Sequence, residues 1–334
     1  MKIAQYATLA TLCLAAPAIG EEVNIYSYRQ PELIAPLLEA FTEETGIRAN
    51  VSFLKKGMLE KLKAEGARTP ADVILTVDIA RLDALVEAGV TQPVNSETIT
   101  ANIPEIYRDP DGEWFGLTTR ARVVFASKER VKPGEITTYE DLASGKWKGR
   151  ICIRSGLHPY NVALFAGHLH HHGSEGTKAW LAGLKANLAR KPQGNDRAQV
   201  KAVWAGECDI AIGNTYYLGK MLENPEQKPW ADAVNVVFPV FEGGGTHVNI
   251  SGMAMTKGAP HPAAALKLME FLASPKAQQI YAQANYEYPV APGVEPSDLV
   301  KSWGSFTPDN APLAELAKLR PQAVKLVEEV DFDG

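Results

Sequence analysis

Cysteine is scarce in this chain, with three in 334 residues, at positions 13, 152 and 208. No CxxC pair is among them, which excludes a disulfide-dense scaffold and a thiolate zinc site. There is no basic block either: 34 Lys and Arg stand against 39 Asp and Glu, a net charge of −5, so nucleic acid is not an expected partner. The chain has no G-x-S-x-G nucleophile elbow, and Gly243-Gly244-Gly245 lacks the lysine and serine of a phosphate loop. Internal repeats, low-complexity runs and flexible linkers are also missing. Paired carboxylates such as Glu43-Glu44 and Glu328-Glu329 fall in charged, helix-like stretches and read as exposed faces, not acid/base dyads. With 46% hydrophobic and 22% charged residues, the chain has the means for a sizeable core.

Met1-Lys2 is followed by an apolar, Ala- and Leu-rich run from Ile3 to Ile19, the pattern of an export signal. Small residues at Ala18 and Gly20 place the cut before Glu21. Cleavage would leave 314 residues, take Lys2 and Cys13 with it, and move the net charge to −6. Leu12 before Cys13, with polar Thr11 before that, is a poor lipoprotein context. The run is shorter than the roughly 20 residues of a spanning helix. The mature protein is therefore expected to be soluble and exported, with Cys152 and Cys208 in an oxidising compartment.

After the cut, strand and helix patterns alternate. Strand signals fall at 23–26, 49–53, 71–76, 122–126, 150–154, 208–212 and 234–238, and helix signals at 32–45, 57–65, 81–88 and 139–142. Such alternation predicts an α/β chain with largely parallel sheets. The length favours two domains, joined by the strands themselves.

Ligands in such sheets collect beyond the carboxyl ends of strands. Three βα turns carry unusual residues: Ser27-Tyr28-Arg29-Gln30-Pro31, Ser155-Gly156-Leu157-His158-Pro159-Tyr160-Asn161 and Gly213-Asn214-Thr215-Tyr216-Tyr217. Pro159 suits a first helical position and Asn214 or Thr215 an N-cap, so the tyrosines open helices. Helix N-termini favour negative charge, which disposes these phenols to ionise. Cys152 precedes Tyr160 by eight residues and Cys208 precedes Tyr216 by eight. A Cys152–Cys208 disulfide would bring two neighbouring strands into one register and raise both tyrosines to one sheet edge; two buried free thiols are the other reading. Clustered phenols suit a hard cation, and three phenolates cancel the charge of Fe(III). An anion filling the remaining coordination positions would need a cation, for which Arg29 and Arg120 are candidates. Packing is the competing role for an adjacent tyrosine pair.

The segments Val23–Pro31, Pro70–Asp78, Trp114–Val123, Gly213–Tyr217 and Gly245–Gly252 resemble the periplasmic ferric-ion-binding proteins of bacterial ABC iron importers, along essentially the whole mature chain. The resemblance implies a two-lobed, type II periplasmic-binding-protein fold of class α/β, with mixed sheets in each lobe joined by hinge strands. It implies an N-terminal lobe of 21–122 with about 243–300, and a C-terminal lobe of about 123–242 with 301–334, after a signal peptide of 1–20. By position, Tyr160, Tyr216 and Tyr217 match the family's metal-ligating tyrosines. Several members carry His-Tyr just after the first-turn arginine; Gln30-Pro31 here removes that phenolate. The chain thus resembles the branch in which three tyrosines of one lobe hold iron and a carbonate or bicarbonate fills the open positions, on Arg29, Gln30 and Arg120 with Asn214 as a further candidate. Arg122, two residues on from Arg120, is the alternative anion ligand. The implied partner is an inner-membrane ABC permease, the carrier being a monomer and not an enzyme. A receptor for a metal-free anion or organic solute, and an exported hydrolase, are the alternatives. His168, His171 and His172 would share a helix face, but Gly173 follows as a helix stop, and a solvated helix end is expected there in preference to a zinc site.

Overall fold

A computed structural model describes residues 21–334. The expected export signal and Cys13 lie outside the described residues, and among the described residues no helix is long and apolar enough to cross a membrane. The chain begins with β1 (Glu22–Ser27), α1 (Pro31–Thr45), β2 (Arg48–Phe53), α2 (Met58–Glu65), β3 (Val73–Thr76) and α3 (Ile79–Glu87). In α1, Ile34, Leu37, Leu38 and Phe41 recur at helical spacing and are buried, and Gly46, at φ 71°, ends the helix with its N–H on Thr42 O. Asp78 caps α3 by accepting from Ala80 N at 3.0 Å. Next come β4 (Thr91–Gln92), α4 (Glu97–Asn102) and the 13-residue β5 (Phe115–Ser127), buried throughout.

The second half of the topology is β6 (Ile151–Cys152), α5 (Pro159–Ala186), α6 (Asp196–Trp204), β7 (Ile210–Asn214), α7 (Tyr216–Glu223), α8 (Lys228–Asp232) and β8 (Val234–Val237). The chain then returns through β9 (Val248–Thr256), α9 (Pro262–Ala273), α10 (Pro275–Asn285), β10 (Tyr288–Pro289), α11 (Asp298–Ser302) and α12 (Leu313–Glu329). The strands run in the order β2-β1-β3-β9-β5-β7-β6. From Phe115 to Ala121, β5 pairs with β9; from Arg122 onward it pairs with β7 and β8. One strand therefore belongs to both lobes.

The pairing departs from the largely parallel sheets expected. Among the described residues, parallel strand pairs are confined to β1–β2, β1–β3 and β6–β7, while β9 and β5 run antiparallel to their main neighbours. Hydropathy reports that a strand exists but not its direction, and the crossover strands enter each sheet against the βα units. The strand expected over 150–154 is only two residues long.

Each lobe buries its own core. In the first, Phe41, Leu37 and Ile34 pack with Val73, Leu268 and Met269; in the second, Phe165, Trp180 and Leu181 pack with Ile210, Ile212 and Phe241, while Val200, Val203 and Leu218 form a further cluster with Ala211. Full burial of one such side chain contributes about 1.5–3 kcal/mol. The terminal segment is shared between the lobes. Leu313, Leu316 and Ala317, at the start of α12, pack with Ile79 and Leu82 of the first lobe, and Ala323, Leu326 and Val327, toward its end, pack in the core of the second.

Candidate functional site

A cleft of about 590 Å³ is lined by Tyr160, Tyr216 and Tyr217 from one lobe and by Arg29, Gln30 and Arg120 from the other. The tyrosines arrive there through local structure. Pro159 and Tyr160 open α5, and the His158 side chain caps it, Nδ1 accepting from Tyr160 N at 3.2 Å while its ring sits edge-on to Tyr160. Thr215 turns the chain from β7 into α7, whose first two residues are Tyr216 and Tyr217. The Oη atoms of Tyr160 and Tyr216 are 3.4 Å apart, and the rings of Tyr216 and Tyr217 are 4.3 Å apart.

Cys152 and Cys208 are joined by a disulfide with Cα atoms 5.9 Å apart. The equal eight-residue spacing does not set the strand register: β6 and β7 align Cys152 with Ala211, three residues beyond Cys208. The bond ties the end of β6 to the segment that leads into β7, and the turns that follow the two strands bring the phenols together.

Electrostatics around the phenols differ from the helix-terminus expectation. Burial, followed by the neighbouring phenols of Tyr160 and Tyr217, pushes the Tyr216 hydroxyl well above its ordinary value. Burial, then Tyr160 and Asp196, raises Tyr217. Desolvation outweighs the helix end, so these two phenols are protonated at neutral pH. Cations stand close by. Arg154 and Arg122 lie 5.6 and 5.9 Å from the Tyr160 ring centroid, and Arg197 lies 5.4 Å from that of Tyr217.

Across the cleft, Arg29 Nη2 donates to Ser251 Oγ at 2.5 Å and to Glu287 Oε1 at 2.7 Å. Burial opposes the charge on Arg29, but the Glu287 carboxylate overcomes this and holds the guanidinium firmly protonated. Burial would raise Glu287, yet Arg29 and Arg120 hold it below the usual carboxylate range, and it accepts from Thr118 Oγ1. Arg120 donates through Nη1 to Ser251 Oγ at 2.8 Å, while its buried Nε and Nη2 have no hydrogen-bond partner among the described residues. Gln30 is exposed on the cleft wall, with no capping bond to α1.

Arg122 and Asn214 do not line the cleft. Arg122 Nη1 donates to Asp196 Oδ2 at 2.8 Å and to Asn214 Oδ1 at 2.9 Å, and its other nitrogens donate to Asn161 Oδ1. Asn214 is thus spent on Arg122, behind the tyrosines. Sequence reasoning missed Glu287, Ser251, Asp196, Arg154 and Arg197, for which no local motif exists. It also left Tyr28 without a role at the cleft; this residue lines it, accepts from Met58 N at 3.0 Å and carries Arg81 4.0 Å above its ring.

The histidines are not a solvated helix end. Gly173 does break the helix, at φ 65°, but His168 is only 2% exposed and stacks on Trp180 at 4.2 Å. Burial, with His172 and His171 nearby, pushes the His168 imidazole down to about 3. The chain turns back at Gly173 and covers the face the histidines share, which helical periodicity alone does not reveal.

Residues 68–303 match the family model described as bacterial extracellular solute-binding protein. The chain is 48% identical over 319 residues to iron uptake protein A1 of Synechocystis, covering 95% of this chain and 89% of that one. Ferric iron-binding protein A of Mannheimia haemolytica, solved in an open conformation, shares 52% identity with a TM-score of 0.90, covering 94% of this chain and 99% of that one. A Trichodesmium protein solved with iron and citrate shares 43% identity with a TM-score of 0.89, covering 93% and 99%. These matches span both lobes and the strands between them, and the chain belongs to the bacterial extracellular solute-binding protein family, with its two-lobed type II fold.

Proposed function

We propose that the protein is the periplasmic solute-binding component of an ABC importer, which holds Fe(III) in the interlobe cleft and delivers it to an inner-membrane permease as a monomeric, non-catalytic carrier. The observation that carries this reading is the convergence of three phenols on one cleft wall, with Tyr160 and Tyr216 Oη 3.4 Å apart, opposite two arginines. In this reading Tyr160, Tyr216 and Tyr217 are the metal ligands. Their all-oxygen donor set suits a hard trivalent ion, and three phenolates neutralise it.

The anion would sit on Arg29, Gln30 and Arg120. Arg120 supports this best, since its two buried nitrogens without a partner among the described residues, Nε and Nη2, otherwise carry an uncompensated desolvation cost. The buried Arg29, Arg120 and Glu287 carry one net positive charge between them, which suits a bicarbonate-like monoanion, while the exposed Glu32 also lines the cleft. Citrate, present with iron in the Trichodesmium relative, is the natural competitor to test. Closure of the lobes over the metal would exclude water and present a defined surface to the permease. The names of the relatives, iron uptake protein and ferric iron-binding protein, support the same cargo.

One equivalent of Fe(III) added with bicarbonate should produce a visible phenolate-to-iron charge-transfer band, strongly weakened by Tyr217→Phe. A colourless protein under those conditions would overturn the proposal. The same free donors of Arg120 would also suit a metal-free anion receptor; that reading requires anion binding without iron, measurable by calorimetry on the apo protein.

A further inference from the structure

A second set of metal-ligand atoms lies inside the second lobe, apart from the cleft. His168 and His172 are one helical turn apart on α5, and Glu140 precedes them on a short turn of 3-10 helix at Glu140–Ala143. One ligand atom from each of these three residues lies within 4.8 Å of the other two. His172 Nε2 is 2.6 Å from Glu140 Oε1, and His168 Nε2 is 3.8 Å from the same oxygen. The histidine rings are 4.3 Å apart.

His168 is held as a ligand would be. A continuous helix would set Thr177 about 13 Å along the axis from His168. The break at Gly173 instead brings Thr177 Oγ1 to 2.9 Å from His168 Nδ1 and lays the Trp180 ring flat against the imidazole. With Nδ1 engaged, Nε2 is buried and has no hydrogen-bond partner among the described residues. A second support fixes the carboxylate, whose other oxygen accepts from Glu242 N at 3.3 Å. Such outer contacts orient ligands in metal sites. The His172 and Glu140 side chains are 21% and 17% exposed, so an ion can enter from solvent and keep a water.

We propose that Glu140, His168 and His172 form a binding site for a borderline divalent cation of the Zn²⁺ class. Two imidazoles and one carboxylate, with a water as fourth ligand, match tetrahedral zinc. Binding breaks the His172–Glu140 hydrogen bond, and the His172 proton passes from Nε2 to Nδ1 so that Nε2 faces the ion. The two sites then sort metals by hardness, with phenolates for the trivalent ion and imidazoles for the divalent one. An ion here would clamp α5 before its break to the segment bearing Glu140.

The test is equilibrium dialysis of the mature chain against Zn²⁺ alone, for the wild type and for Tyr217→Phe, His172→Gln and Glu140→Gln. His172 and Glu140 are partly exposed, and circular dichroism verifies that their variants fold. The expected result is one zinc per chain in the wild type and in Tyr217→Phe, with affinity at least about tenfold weaker in His172→Gln and in Glu140→Gln. Zinc retained by both His172→Gln and Glu140→Gln, or lost only in Tyr217→Phe, would overturn the proposal, as would no uptake by the wild type. None of these outcomes depends on whether the cleft takes iron.

Discussion

Removing one phenol from the cleft tests how the protein pays for binding a trivalent ion. A phenol with its ordinary pKa of about 10 is ionised at pH 7 in roughly one molecule per thousand, so each phenolate costs about 4 kcal/mol to create. Three cost about 12 kcal/mol, and burial adds to this at Tyr216 and Tyr217. Tyr216 and Tyr217 should therefore be protonated in the apo protein at neutral pH, and a metal held by three phenolates would displace three protons. Ga(III), a colourless ion of the same charge, lets tyrosinate be counted by ultraviolet difference spectroscopy without an overlapping charge-transfer band. Saturation should ionise three tyrosines per chain in the wild type and two in Tyr217→Phe, with bicarbonate held constant. Because all three protons are returned on release, lowering the pH by one unit should weaken binding by up to about a thousandfold through the phenols alone. A count unchanged by Tyr217→Phe, or no ionisation on saturation, would refute the reasoning.

The other predictions address stability and closure. Replacing both Cys152 and Cys208 by alanine opens a loop spanning 56 positions and should lower the unfolding free energy by about 4 kcal/mol, read from denaturant titration. Tyr139 donates to Arg122 O at 2.6 Å and accepts from His247 N at 3.1 Å; Tyr139→Phe orphans two buried backbone groups and should cost about 2–4 kcal/mol in the same titration. Burial pushes buried His247 down to about 3, so the unfolded chain binds its proton first as the pH falls. Apo stability should decline below about pH 6.5 toward pH 3, His247 contributing up to about 1.4 kcal/mol per unit beside the similarly depressed His158 and His168, and His247→Gln should remove that one share of the slope. A methyl on Gly219 of α7 would come within 2.4 Å of the Tyr286 ring, at the end of α10 in the other lobe. Gly219→Ala should push these helices apart and speed iron release about tenfold or more, measured by chelator capture; unchanged release would refute the contact's role in closure.

Much of the site was legible because its residues sit at places that sequence marks. Tyr160, Tyr216 and Tyr217 follow a strand pattern and open a helix, and that junction is where α/β sheets expose side chains to ligand. Arg29 and Gln30 were found in the same way, at the end of β1. Glu287 and Ser251 were not, because they come from the return crossing of the chain, more than 200 residues after Arg29, and no local pattern links them to it. The burial of His168 is not legible in the sequence, because periodicity shows which side chains share a face but not what folds back over it.

The sequence alone determined the alternation of strands and helices, the three turns from which the candidate site side chains project, and the two cysteines able to brace them. Strand direction, which of the two arginines lines the cleft and the true environment of the phenols belonged to the tertiary structure. Arg120 and Arg122 have the two-residue spacing of one strand face, yet β5 changes partners between Ala121 and Arg122, leaving β9 for β7. That exchange puts Arg120 on the cleft with unused donors and seals Arg122 behind it against Asp196 and Asn214. Side-chain period is a local property of the backbone, whereas burial depends on which distant segments arrive to cover it.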